Sequence, residues 1–189
     1  DRLKGMGATS ASAGGVGLFH VVGVTPEART LEAIVAPNAE YLKMTAADVR
    51  EARDSLSTTS SDKLDAVSLG TPHFSVDEFR ALSEVIGDGP KFADQIDFYI
   101  STSRDVMARS KELGYLDVFL NAGGRIVTDT CTYVTPVLNR NVRNVMTNSG
   151  KWAWYAPGNL GIDTVLGSLS ECVASARAGK VVRDESLWA

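Results

Sequence analysis

Apolar positions along this chain switch between short continuous runs and stripes spaced three and four apart. KLDAVSLG (63–70) is a run that reads as a buried strand. SVDEFRALSEVIG follows, with Ser75 as N-cap, Glu78 closing a capping box, and Phe79, Leu82, Val85 and Ile86 on one helical stripe. QIDFYIS (95–101) is a second strand. The helix after it takes Thr102 or Ser103 as cap, runs to Leu113, and meets Gly114 as a natural stop. GRIVTDT (124–130), NVMTNS (144–149) and DTVLG (163–167) read as strands three to five. SLSECVASARAG repeats the helix grammar: Ser168 caps, Glu171 closes the box, Gly179 terminates. Five strands alternating with helices predict an α/β domain with a mostly parallel sheet and flanking helices.

The first 60 residues follow another pattern. GATSASAGGVG is made of small residues, which suits either a tightly packed helix or a substrate loop whose Ser10 and Ser12 donate to an anion at a helix N-terminus. It lacks the lysine of a phosphate-binding P-loop. Thr25-Pro26-Glu27 predicts a helix start, and Thr45 caps a second helix that fades into the polar STTSSDK. A boundary near residue 60 divides an N-terminal helical segment (1–60) from the α/β domain (61–189).

Composition narrows the class. The chain has 189 residues, 44% hydrophobic, and a net charge of −4. That charge disfavours a nucleic-acid surface. No apolar run reaches the ~20 residues of a membrane span, and no leader pattern is visible. The chain starts at Asp1 rather than Met, as a processed chain, trimmed product or fragment would. Two cysteines make no disulfide framework, so a reducing, cytoplasmic setting is expected.

In parallel sheets ligands gather at the carboxyl ends of strands, and the unusual residues cluster at the predicted ends. Thr71, Pro72 and His73 follow the first strand. Asp129, Thr130 and Cys131 follow the third. Asn148, Ser149 and Lys151 follow the fourth. Cys131, between threonines and beside an aspartate, is either a metal ligand or an inert thiol. Cys172, on an apolar helical stripe, reads as core. His73 either works as acid, base or ligand-orienting group, or anchors its turn. The stretch NSGKWAWY is either a structural turn or a site at which Lys151 and backbone amides favour a serine alkoxide.

Taken together, GGVGLFHVVGVTPEA, LGTPHFS, TDTC and TNSGKWAWYAPGNLG…GSLSECVASARAGKVVRDESLW resemble the aconitase X family, in order and across nearly the whole chain. The resemblance implies a hydro-lyase with flavodoxin-like, aconitase-type α/β parts and an iron or iron–sulfur centre such as a 2Fe-2S cluster. It implies dehydration of a small hydroxy acid, either cis-3-hydroxy-L-proline to Δ1-pyrroline-2-carboxylate or 5-phosphomevalonate. The amino acid is favoured because only Arg2 and Lys4 flank the small-residue stretch. Family members are about twice as long, so the chain resembles a C-terminal half. The rest of the site is then expected from an N-terminal half or from a second chain such as a small subunit.

By the same resemblance Ser149 is the base and Lys151 its electrostatic support, with Trp152, Trp154 and Tyr155 stiffening the turn and excluding water. Cys131 is the metal ligand and iron the Lewis acid on the departing hydroxyl. Ser10, Ser12, His73, Thr71 and Asn148 are the expected substrate contacts, since they fall at predicted strand ends or in the small-residue stretch. Threonine at position 71, where a cysteine would be a plausible ligand, leaves the ligand set incomplete. The competing expectation is a non-catalytic α/β binding module or an inactive fragment, which would be colourless and free of iron.

Overall fold

The computed structural model describes residues 1–189. Five strands form one parallel sheet: β1 (Ala66–Phe74), β2 (Asp97–Thr102), β3 (Arg125–Thr128), β4 (Asn144–Thr147) and β5 (Asp163–Leu166). Their order is β3-β2-β1-β4-β5. The expected α/β class holds. The order differs from flavodoxin's 2-1-3-4-5, and the direction of winding reverses between β1 and β4.

Strand alternation assigns the two faces. Val67, Leu69, Phe98, Ile100 and Met146 point into a core of 19 buried residues. That core is completed by Phe79, Leu82 and Ile86 of α3 (Val76–Ile86), Leu116 and Phe119 of α5 (Tyr115–Asn121), and Cys172, Val173 and Ala176 of α7 (Leu169–Ala178). α4 (Arg104–Glu112) adds the half-buried Val106 and Met107. Each fully buried Phe or Leu here contributes about 1.5–3 kcal/mol. Burial pushes the Cys172 thiol up, as befits a core residue. The opposite face carries Ala66 and Val145 against Trp152 and Ala156 of α6 (Gly150–Leu160).

The reciprocal capping boxes at Ser75/Glu78 and Ser168/Glu171 form as expected, as does the Ser103 cap. Val85, placed on the α3 stripe, is exposed instead. α5 is an addition: Gly114 ends α4 in a left-handed conformation, and the chain restarts a helix at once.

Two expectations are corrected here. β1 does not stop at Gly70 but continues through Thr71, Pro72 and His73 to Phe74, with a register slip against β2 between Leu69 and Phe74. The Asn-Ser-Gly-Lys stretch is not a turn: Ser149 caps α6, which carries the aromatics. Only Trp152 of the three is buried; Trp154 and Tyr155 are partly exposed.

In the N-terminal segment, α1 (Arg2–Gly14) and α2 (Ala46–Ser55) are helical, α2 with the Thr45 cap. No helix forms at Thr25-Pro26. A single turn closes there, with the Ala28 amide donating to the Thr25 carbonyl, because nothing buries an apolar stripe that would propagate it. The polar connector after α2 runs along the sheet margin. Thr58 and Thr164 exchange bonds of 2.9 Å, and the Leu166 amide donates to Ser57 Oγ, so the β5 edge is covered. A short 3₁₀ helix (Glu185–Trp188) returns to α2 through Arg53–Glu185 (2.9 Å) and Arg50 donating to the Trp188 carbonyl. No helix is long and apolar enough to cross a membrane.

Candidate active site at the carboxyl ends of β1 and β4

The reversal of winding leaves a crevice between the ends of β1 and β4, and a cavity of about 120 Å³ occupies it. Its floor is Gly70, Thr71, Pro72 and Phe74 from β1 and Asn148, Ser149 and Gly150 from the β4–α6 junction. Its roof is Lys4, Gly5 and Thr9 of α1, and Glu78 closes one side.

Gly70 makes the floor possible. It sits at φ +85°, and a Cβ there would overlap the Ser101 carbonyl of β2. The close approach turns β1 out of register and sends Thr71 across the crevice mouth. There the Thr71 carbonyl accepts a short hydrogen bond from Ser149 Oγ. The same Oγ accepts from the Trp152 amide at 3.0 Å, which makes Ser149 the N-cap of α6. The Gly150 and Lys151 amides, in the first turn, have no acceptor in the chain. No acidic side chain occupies that turn. Thr71 is almost wholly buried, and its hydroxyl has no hydrogen-bond partner.

Lys4 shows where the local positive charge goes. Its Nζ lies 2.6 Å from Glu78 and 3.6 Å from Asp1, and donates to the His73 carbonyl at 2.8 Å. Thr9 rests on Gly150, where an added Cβ would come within 2.6 Å of Thr9 Cγ2.

The structure therefore brings Thr71, Asn148 and Ser149 together around one cavity, with Asn148 exposed at its rim. Lys151 stands half-buried on the first turn of α6, outside the cavity lining. Ser10 and Ser12 are corrected: they lie in the C-terminal half of α1, in a helix rather than a loop. Their hydroxyls are spent on the carbonyls of Gly7 and Ala8. An anion at a helix N-terminus cannot meet them there. His73 points away, with Nε2 3.1 Å from the Thr130 carbonyl, so it ties β1 to the loop after β3.

Cys131 sits in that loop, half-buried, on the same edge of the sheet. Its neighbours anchor it there: Thr130 through His73, and Thr132 through Ser68 (2.6 Å) and the Trp152 indole (2.8 Å). Burial, with Cys131 and the stacked Tyr155 beside it, pushes the Tyr133 hydroxyl up. A cluster site is another matter. Nowhere in the chain do three or more His, Cys, Asp or Glu side chains converge. Cys172 is locked in the core on α7. The residues of this chain alone do not fit an iron–sulfur cluster, whose iron atoms need several thiolates.

Sequence reasoning missed Gly70 and the roofing role of Lys4 and Thr9. A glycine at the end of a strand, just before Thr-Pro, was the available signal for Gly70. The larger depression beside β5, about 530 Å³, offers less chemistry. Its Arg53 is paired with Asp54 and Glu185, and its Arg183 donates to the Leu166 carbonyl and Ser57.

Comparison with known proteins gives two family matches: residues 1–54 to the aconitase X second domain and residues 64–178 to the aconitase X third domain. The phosphomevalonate dehydratase large subunit of Methanothermobacter thermautotrophicus is 39% identical over 87% of the chain and 40% of its own length. The cis-3-hydroxy-L-proline dehydratase of Pseudomonas aeruginosa is 35% identical over 100% of the chain and 33% of its own length. The crystal structure of Thermococcus kodakaraensis aconitase X (holo-form) superposes with a TM-score of 0.79 at 32% identity, over 92% of the chain and 43% of that structure. The chain thus spans a third to two-fifths of these proteins, less than the half expected.

Proposed function

Because the chain belongs to the aconitase X family, we propose that it forms one wall of a dehydratase active site and carries that enzyme's base. The substrate we propose is cis-3-hydroxy-L-proline. Ser149 Oγ takes the proton from the carbon that bears the carboxylate, and hydroxide leaves the adjacent carbon. The enamine so formed tautomerises to Δ1-pyrroline-2-carboxylate, with net loss of one water. The observation that carries this reading is Ser149 at the crevice, on the positive end of α6, where an alkoxide gains from the helix dipole and the Trp152 amide, against the loss of the hydroxyl's bond to the Thr71 carbonyl. Lys151, two residues on, adds positive charge on the same turn.

The amino-acid substrate is favoured over 5-phosphomevalonate by Lys4. Its ammonium is already matched by Glu78 and Asp1, which leaves no unpaired cation at the cavity for a phosphate dianion. Identities of 39% and 35% to the two kinds of relative do not separate the substrates. Among the residues here Cys131 suits one ligand of an iron–sulfur centre. Further ligands would come from the part of the relatives' length that this chain does not span, on the same polypeptide or on a small subunit. Residues 1–60 would then act as a separate segment packing on that part.

Ser149→Ala in the complete protein tests the assignment. Loss of a general base lowers turnover about 10²–10⁴-fold, whereas loss of the cap costs only about 1 kcal/mol of stability. Turnover within a few-fold of wild type would remove Ser149 from the chemistry. Turnover of 5-phosphomevalonate but not of the hydroxyproline would reverse the substrate assignment.

A further inference from the structure

The crevice holds unfilled donors of one kind. Gly150, in the cavity lining, carries an amide with no acceptor at the positive end of an 11-residue helix. Thr71, across the same cavity, keeps a hydroxyl with no partner although only 2% of the residue is exposed. A buried orphan hydroxyl costs about 1–3 kcal/mol, so its retention points to a ligand that it serves. Acceptors are what these groups lack, and an anion supplies them.

We propose that this cavity is a carboxylate subsite, in which one carboxylate group accepts from the Gly150 N–H group and from Thr71 Oγ. Size and charge select the class. The cavity has room for about four waters at ~30 Å³ each, enough for a carboxylate and the carbon that carries it. A helix end balances about half a charge, and Lys4 is already neutralised by Glu78 and Asp1, so a single negative charge fits better than a phosphate. Seated there, the carboxylate presents its α-carbon beside Ser149 Oγ. The assignment replaces Ser10 and Ser12 as carboxylate contacts. It rests on the dehydratase reading only for the identity of the acid.

Thr71→Val is the decisive variant, because the two roles of a threonine predict opposite signs. Removing an unpartnered buried hydroxyl leaves thermal stability unchanged or higher. Removing a donor to a charged ligand weakens binding about 10- to 100-fold. Calorimetry on the complete protein compares L-proline, L-prolinamide and inorganic phosphate. L-proline is expected to bind, L-prolinamide not to bind, and phosphate to compete weakly. Thr71→Val loses L-proline binding while Thr71→Ser retains most of it. Equal binding of L-proline by wild type and Thr71→Val, no binding of L-proline at all, equal binding of the amide, or tighter binding of phosphate each overturns the proposal. Turnover on the same samples separates the two readings. Dehydration with binding indifferent to Thr71→Val sinks the subsite alone. Binding without dehydration sinks the function and leaves the subsite standing.

Discussion

The floor and the roof of the crevice are built on different principles. The floor belongs to a sheet whose central strands β1, β2 and β4 are largely buried and whose helices interlock around Phe79, Phe98 and Phe119. The roof belongs to a segment in which only Ala28 and Arg53 of the first 60 residues are buried, while Leu18, Tyr41, Leu42 and Met44 stand more than 70% exposed. α1 buries no residue at all. It lies against α6 without burying a side chain, and its specific ties are few: Lys4 on Glu78 and the His73 carbonyl, Asp1 on Ser75, Thr9 on Gly150. Side chains fixed by a dense core can be aimed at a reacting atom, and Ser149 and Thr71 are fixed in that way. A roof on a few polar ties can lift without unfolding what lies beneath.

Substitutions in the floor should therefore be severe. Gly70→Ala forces a side chain into φ +85° and into the Ser101 backbone, and neither strand can yield without breaking the β1–β2 ladder. A loss of about 4 kcal/mol or more is expected in urea unfolding, or failure to accumulate as folded protein. A mild effect would mean that β1 and β2 are not held this close. Trp152→Ala comes next, at about 3–5 kcal/mol, for an indole with no exposed surface. Trp152→Phe keeps much of the packing and isolates the bond to Thr132, at about 1 kcal/mol. If Trp152→Phe cost as much as alanine, the Ser68–Thr132–Trp152 chain would be the true support of that face.

The same contrast explains what the sequence made legible. Ser75-x-x-Glu78 and Ser168-x-x-Glu171 are local devices, closed within one turn, and could be read directly. α6 carries no such signature. Its cap is Ser149, but position N3 is Trp152 rather than an acid, and Gly150, Pro157 and Gly158 disguise a helix. The extension of β1 was hidden because Thr-Pro reads as loop; what keeps it in the sheet is the approach of Gly70 to Ser101, 31 positions away. The helix expected at Thr25-Pro26 had a good start signal and no surface to pack on. For the site, residue types singled out Ser149, Thr71 and Asn148, and the fold sets all three around one cavity. For Ser10 and Ser12 the sequence left helix and loop open, and composition does not say which end of α1 small residues occupy.

Acid should loosen the floor through one carboxylate. Glu171 is buried, and burial alone raises its pKa. The Ser168 and Asp184 amides, with the Ser168 hydroxyl and Trp188 indole, more than offset this and hold it below the ordinary carboxylate range. A pKa depressed in the folded state gives stability that is present above the unfolded value of about 4.3 and disappears as pH falls through the lower, folded value. Glu171→Gln should cost about 1–3 kcal/mol at neutral pH and flatten the stability profile below about pH 4. An unchanged acid limb in that variant would assign acid sensitivity to other carboxylates.

The smallest effect is the most informative about the roof. Gly5 lies inside α1, and a Cβ there meets nothing within 4 Å. Alanine should therefore stabilise the helix by about 0.8–1 kcal/mol through backbone entropy alone. Where that gain registers depends on how α1 is coupled to the sheet. If the helix opens independently, the exchange of α1 amides slows about four- to fivefold while global urea unfolding stays at the wild-type midpoint. If α1 and the sheet unfold as one unit, the midpoint moves up by the full amount and α1 exchange tracks the core. Independent opening is the expected outcome, since α1 contributes no buried side chain to either core cluster. A shifted midpoint would show that the polar ties from Lys4, Asp1 and Thr9 bind roof to floor as firmly as packing would.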